Sequence, residues 1–468
     1  ETSALVYFLR APHAMSCATT PNPVLLLSHP QQRTAVKEMA STRRPPLPPG
    51  PPPQPQGNVG DDDEVVWEEH FMQLPGGDAE YDSLGFAAPP VGNPAAEAAK
   101  AFEREFEVKA QRRLQRFEQK RKRLRTPGAW TELPQSELKE LLRKGVPDEY
   151  RGEVWWSILR CEDYRSNQEA KLQLQGSAYS HYMKQDFDPK VAEEIERDLP
   201  RTFPDHKKFR SVAGRSQLRN VLRAFAKHAP RVQYCQGLNF IAALLLIVLA
   251  DEEKAFWALA AAVDFLGVEL YYTEGMTLLR ADMRALVPAM AARCPKVERW
   301  FRQNGVEVTS ICSSWFVTWF AKALPAPTVL RVWDTLFFEG FKVLFRVAVG
   351  IFKRSEASIL RCADFDEIME QAKNWPRDQI DHNELIKASF RGFPAMRRHD
   401  LIADRENALQ ALEQEDQELR RRQQANREAA ARAAAERREA AQRAASASSM
   451  TSGAETSGTE DERVREAL

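Results

Sequence analysis

Between Trp130 and Met396 the apolar residues recur at steps of three and four, and seldom in strict alternation. That spacing lines one face of an α-helix and cannot line one face of a strand, so it commits the segment to helices. Pro189, Pro230, Gly305, Pro325 and Gly340 cut the run into helix-sized lengths. The pattern predicts helices at 135–144, 152–160, 172–183, 191–199, 216–228, 238–250, 252–266, 276–294, 296–304, 309–323, 326–338 and 341–355. No fixed period repeats along the chain, which disfavours a solenoid. The expected fold class is all-α.

The flanks differ in kind. Residues 1–94 hold a proline-rich and an acidic stretch and are expected to be disordered. Within them, the basic pair Arg43-Arg44 leads into the prolines of 43–55, a pattern that a polyproline II helix can present to an SH3-type partner. Tyr81 and Phe86 are expected to dock on the domain that follows. Residues 95–126 read as a charged amphipathic helix with an apolar stripe of Phe102, Phe106, Ala110, Leu114 and Phe117. Its basic end suits either a solvated face or peripheral contact with a membrane surface. The domain proper is placed at 130–397, with a motif-bearing core at 145–341. Residues 399–446, rich in Ala, Arg and Glu, predict a long helix or weak coiled coil, and 447–468 a disordered tail.

Bulk composition excludes several classes. The 66 basic and 66 acidic residues cancel, so the whole chain is no polyelectrolyte, and the basic helices lack the interleaved aromatic pattern of a nucleic-acid surface. No nucleic acid partner is expected. The 6 cysteines are scattered without metal-ligand spacing, as in a reduced, cytoplasmic protein. The apolar run 238–250 contains Asn239 and is shorter than a membrane span of roughly 20 residues. It predicts a buried core helix. No P-loop, zinc-protease or nucleophile-elbow motif occurs, so the chain has no nucleotide site of that type.

Three short motifs remain: Arg151 and Trp155 as R-x-x-x-W, Ile195, Asp198 and Arg201 as I-x-x-D-x-x-R, and Tyr234 and Gln236 as Y-x-Q. An arginine keeps its charge and forks onto phosphate oxygens. A glutamine amide donates and accepts at once, so it can hold a water against a phosphate. Such a pair suits hydrolysis of a nucleotide phosphate carried by another protein. Asp198 lies one helical turn from Arg201, and Pro200 is expected to end the helix and present Arg201 at an edge. Gly237 allows a tight turn after Gln236.

In this order and spacing the motifs resemble the TBC domain, the Rab GTPase-activating module. Lys144-Gly145-Val146-Pro147, Arg201-Thr202-Phe203-Pro204-Asp205, Gln236-Gly237-Leu238-Asn239-Phe240 and Arg331-Val332-Trp333-Asp334 extend the likeness over about 144–390. Within the family the chain resembles the growth-hormone-regulated TBC protein and its relatives. The resemblance implies that Arg201 is an arginine finger and Gln236 a glutamine finger, with Asp198, Tyr234, Arg151, Trp155, Ile195 and Gly237 in support. It implies a GTPase activator acting in trans on a Rab-family small GTPase in vesicle traffic. It needs no cofactor of its own, since GTP and Mg2+ come with the partner. The expected location is cytoplasmic, peripheral on endomembranes. A catalytically silent TBC scaffold that binds a GTPase or membrane partner is the alternative.

Overall fold

Good helix formers without an internal proline carry α1, Pro94–Arg121, the first element of the computed structural model. The structure describes residues 81–87, 94–173, 176–391 and 398–465, so the proline-rich 43–55 segment lies outside the described residues. The chain divides into two units, Glu1–Glu406 and Asn407–Leu468. On α1 the stripe residue Phe117 is fully buried, 5.3 Å from Trp130 and 6.0 Å from Tyr150 between ring centroids. Acidic residues of the following helices meet its basic end: Arg123 pairs with Glu137 at 2.7 Å and Arg121 with Glu153 at 3.2 Å. The helix stops short of residue 125, where the Arg125 amide donates to Glu132 at 2.7 Å.

The first unit continues through α2 Gln135–Lys144, α3 Asp148–Ile158, α4 Cys161–Leu172, α5 Ala178–Met183, α6 Pro189–Asp198, α7 Lys207–Arg210 and α8 Val212–His228. After these come α9 Leu238–Leu249, α10 Glu252–Leu266, α11 Thr277–Arg293, α12 Pro295–Gln303, α13 Val308–Val317, α14 Ala326–Glu339 and α15 Lys342–Ile359. Three shorter helices close the order: α16 Phe365–Gln371, α17 Asn374–Arg377 and α18 His382–Phe390. Among the described residues, extended pairing is confined to the bridges Tyr81–Ala87 and Phe86–His206. The all-α expectation therefore holds. Side-chain caps start several helices, as Asp188 does for Lys190, Ser211 for Gly214 and Asp251 for Lys254.

Four sequence expectations need correction. A single helix over 172–183 does not form: α4 ends and α5 begins around Gln173 (φ 52°) and Gly176 (φ 123°), both left-handed. The 309–323 helix stops at Val317, because Trp319 (φ 47°) and Phe320 (φ 67°) leave the helical region. Both rings are fully buried, and their packing overrides the local helical pattern. Residues 81–87, placed in the disordered region 1–94, are packed on the domain through Phe86 and a turn closed by Asp82. The final helix, α19, runs Arg398–Arg465 rather than stopping at 446. No proline interrupts it, and each added residue closes one more backbone bond. The second unit is the part of this helix beyond Glu406.

One carboxylate organises the middle of the first unit. Asp334 on α14, fully buried, accepts from Arg151 Nε (3.2 Å), Trp155 Nε1 (3.1 Å) and the Val146 amide (2.9 Å). Arg151 also donates to the Val146 carbonyl at 2.7 Å. Nearby, Arg331 donates to the Leu142 carbonyl at 2.9 Å and so caps the end of α2. The rings of Trp155, Trp333 and Phe337 pack around this point, tilted or edge-on, with centroids 5.0–5.7 Å apart. Asp334→Ala would leave the Arg151 Nε, the Trp155 indole N–H and the Val146 amide without their buried acceptor, though Arg151 keeps its pairing with Asp148. Urea unfolding should show it to cost ~3–5 kcal/mol.

A second hub is the half-buried His228 ring, with Tyr164 Oη at 3.1 Å from Nε2 and Tyr182 Oη at 3.1 Å from Nδ1. Burial, helped by the Lys171 charge, pushes its pKa down from 6.5 to about 4. His382 is pushed down to about 3, by burial first and then by Arg331. Between their ordinary and folded values the unfolded chain binds more protons than the native one, so stability falls as pH drops through that window. Thermal melts from pH 7 to 4 should show Tm falling steadily, and His228→Phe should make the slope shallower.

Candidate functional site

The α6 helix is anchored by Ile195, fully buried, and ends at Asp198. Leu199 N still donates to Ile195 O at 3.1 Å, but Pro200 has no N–H to continue the ladder. Thr202 N turns back to Leu199 O at 3.2 Å. Arg201 is thereby carried outward, with its side chain 52 % exposed. Its guanidinium pairs with Asp198, which is 2 % exposed. The other Asp198 oxygen accepts from the Tyr234 hydroxyl. A buried carboxylate is costly unless paired and bonded, and here it has both kinds of partner. Burial, and then the Asp198 carboxylate, push the Tyr234 pKa far above its usual value, so the phenol remains a donor.

A second chain of bonds joins the two loops. The Thr202 hydroxyl donates to the Asp198 carbonyl at 2.6 Å and accepts from Asn239 Nδ2 at 2.7 Å. Asn239 Oδ1 in turn accepts from the Gly237 amide at 2.9 Å. Gly237 has φ 118°, and a Cβ there would lie 2.9 Å from Val317 Cγ1, so both conformation and space require glycine. Gln236 precedes this turn and is exposed. Arg201 and Gln236 thus stand in solvent on loops whose buried roots are hydrogen-bonded to each other. Between Tyr234 and Gln236, Cys235 has its pKa pushed up to about 11, by burial and then by Glu194 and Asp198, and stays a neutral thiol.

The structure brings Arg201, Asp198, Tyr234, Gln236 and Gly237 together, with Ile195 beneath them. Arg151 and Trp155 instead belong to the Asp334 clamp. Arg151 also lines a small cleft with Asp148, Ser83, Leu84, Ile247 and Val248. Thr202 and Asn239, which carry the link between the loops, were given no role from sequence. A signal existed for Asn239: it is a lone amide in the apolar run 238–250, and a buried amide must find partners.

A helical domain that displays an arginine and a glutamine from adjoining loops matches the family model described as the Rab-GTPase-TBC domain, over residues 148–360. The growth hormone-regulated TBC protein 1 of Xenopus tropicalis is 38 % identical over 240 residues, spanning 50 % of this chain and 68 % of that protein. The TBC1 domain family member 2A of Rattus norvegicus is 37 % identical over 287 residues, 60 % of this chain but only 30 % of the relative's length. Among solved structures, the Chlamydomonas flagellar RabGAP TBC domain superposes with a TM-score of 0.56 at 30 % identity, covering 66 % of this chain and 99 % of that domain. The chain belongs to the Rab-GTPase-TBC domain family. The resemblance to the growth-hormone-regulated TBC proteins read from its motifs is borne out.

The loop linkage has a measurable energy. Thr202→Val keeps the shape but leaves Asn239 Nδ2 without its buried acceptor. It should lower stability by ~1–3 kcal/mol in denaturant unfolding, with faster amide hydrogen exchange at Gly237.

Proposed function

We propose that this chain activates GTP hydrolysis by a Rab-family small GTPase, with Arg201 as the arginine finger and Gln236 as the glutamine finger. Family membership supports Rab GTPase activation, and vesicle traffic in general, as its field of action. The observation that carries the finger assignment is the buried Thr202–Asn239 bond, which roots both exposed side chains in one network. Hydrolysis of GTP needs an aligned water and neutralisation of charge moving toward the β–γ bridge. Arg201 supplies a fixed positive fork for that charge. The Gln236 amide can donate to phosphate and accept from the attacking water. Asp198 restrains the guanidinium between encounters, and Tyr234 holds Asp198. GTP and Mg2+ arrive with the partner.

On this reading the site acts by positioning and charge, with no covalent step of its own. No helix among the described residues is long and apolar enough to cross a membrane. A cytoplasmic location, peripheral on endomembranes, fits an activator that acts in vesicle traffic.

Single-turnover GTP hydrolysis across a panel of purified, GTP-loaded Rabs tests the reading. One or a few should be accelerated. Arg201→Ala should remove ~10³-fold or more of that acceleration, and Gln236→Ala ~10²-fold; Tm should hold for the exposed Gln236 and fall for Arg201→Ala, which takes a partner from the buried Asp198 while the far-UV helical signal persists. Full activity in both variants would defeat the finger assignment. A folded wild-type chain that accelerates none of the Rabs would favour the silent scaffold.

A further inference from the structure

Residues 81–87 lie outside the matched family region, yet they are bound directly to the loop that follows Arg201. The segment is a closed turn: Asp82 Oδ1 accepts from the amides of Leu84 (3.0 Å) and Phe86 (2.8 Å), and Gly85 sits at φ 95°. Its backbone then pairs with the loop. Ala87 N donates to Asp205 O at 3.0 Å, and Lys207 N donates to Gly85 O at 2.9 Å. His206 Nε2 meets Leu84 O at 2.9 Å, and its Nδ1 accepts from Lys208 N at 3.1 Å, which leaves Nε2 as the donor. Arg210 donates to the Tyr81 hydroxyl at 3.0 Å.

The loop so gripped is strained. Phe203 has φ 45°, a left-handed conformation that costs a non-glycine residue on the order of 1–3 kcal/mol and persists only when its surroundings over-determine it. Two rings do so. Phe86 meets Phe203 edge-on at 5.4 Å, and Phe240, in the first turn of α9 just past Gln236, meets it edge-on at 5.3 Å. Thr202, immediately before Phe203, carries the bonds to Asp198 and Asn239.

We infer that the 81–87 strap is part of the activating machinery, and that Phe86 is a positioning residue which fixes the Arg201 loop through Phe203. The inference rests on the finger assignment for its catalytic consequence, and on the loop geometry alone for its structural one. Without Phe86 the left-handed turn loses one of the two rings packed on it. Arg201 then samples many orientations, so the rate at saturation suffers while partner docking does not.

The test uses the full-length chain with Phe86→Ala and Phe86→Tyr. In single-turnover assays on an accelerated Rab, Phe86→Ala should lower the saturating rate ~10-fold or more, with the half-saturating concentration of activator unchanged. Phe86→Tyr, which keeps the ring, should restore it. In an Arg201→Ala background Phe86→Ala should cause no further loss, because the two act on one step. Hydrogen exchange at the Thr202 and His206 amides gives a readout independent of activity, and should quicken ~10-fold or more in Phe86→Ala. Unchanged exchange at those amides would overturn the strap's role whether or not any Rab is accelerated. A raised half-saturating concentration with an unaltered saturating rate would overturn it too, making Phe86 a docking contact. Quickened exchange in a chain whose wild type accelerates no Rab would defeat the finger assignment and leave the strap's grip on the loop standing.

Discussion

A carboxylate shut away from water is the constraint around which the site is arranged. Asp198 is almost fully buried, and its charge is tolerable only because Arg201 and Tyr234 both face it. Each of those partners comes from a different loop, so satisfying one buried charge fixes two loops at once. Asp334 uses the same physics deeper in the domain, gathering Arg151, Trp155 and the Val146 amide into one acceptor. A third case is Asp282, which binds Arg405 in two bonds of 2.5 Å and ties the start of α19 to α11. Arg405 also lies 3.8 Å over the Phe341 ring. These buried pairs are better evidence of geometry than of stability, since a buried pair costs much to desolvate and is expensive chiefly to break.

The exposed side of the site follows from the buried side. Arg201 is half in solvent, but its approach is set by the end of α6, the Thr202 bonds and the left-handed Phe203. A long side chain on a mobile loop would lose much entropy on meeting a phosphate. A restrained one has already lost part of it, which leaves more of the encounter energy for the transition state. The strain at Phe203 is the counterpart of that order, held by aromatic rings from the strap and from α9.

The helix that precedes the domain shows how a basic surface can be spoken for internally. Its last turns are rich in Lys and Arg, yet Arg121 and Arg123 face Glu153 and Glu137 on neighbouring helices. Phe117 seats the helix against Trp130 and Tyr150. Such half-exposed pairs contribute little stability each, and the buried ring does most of the anchoring.

The all-helical class, most helix positions and the motif-bearing residues were legible in the sequence, because period-3.6 apolar spacing and Pro/Gly breaks are local properties. Helices α2 and α10 fall where the spacing put them. The early end of α13 was not legible. It depends on Trp319 and Phe320 finding fully buried places, and burial is a property of the whole packed chain. The sequence likewise placed Arg201 and Gln236 in motifs but could not join them, because the Thr202–Asn239 bond spans residues far apart in the chain. The grip of 81–87 on the Arg201 loop was equally out of reach beyond the expectation that its aromatics dock. Local pattern determined which segments are helices and which residue types are on offer. Tertiary structure alone decided which of them meet, since a contact between distant residues exists only once the chain between them has folded.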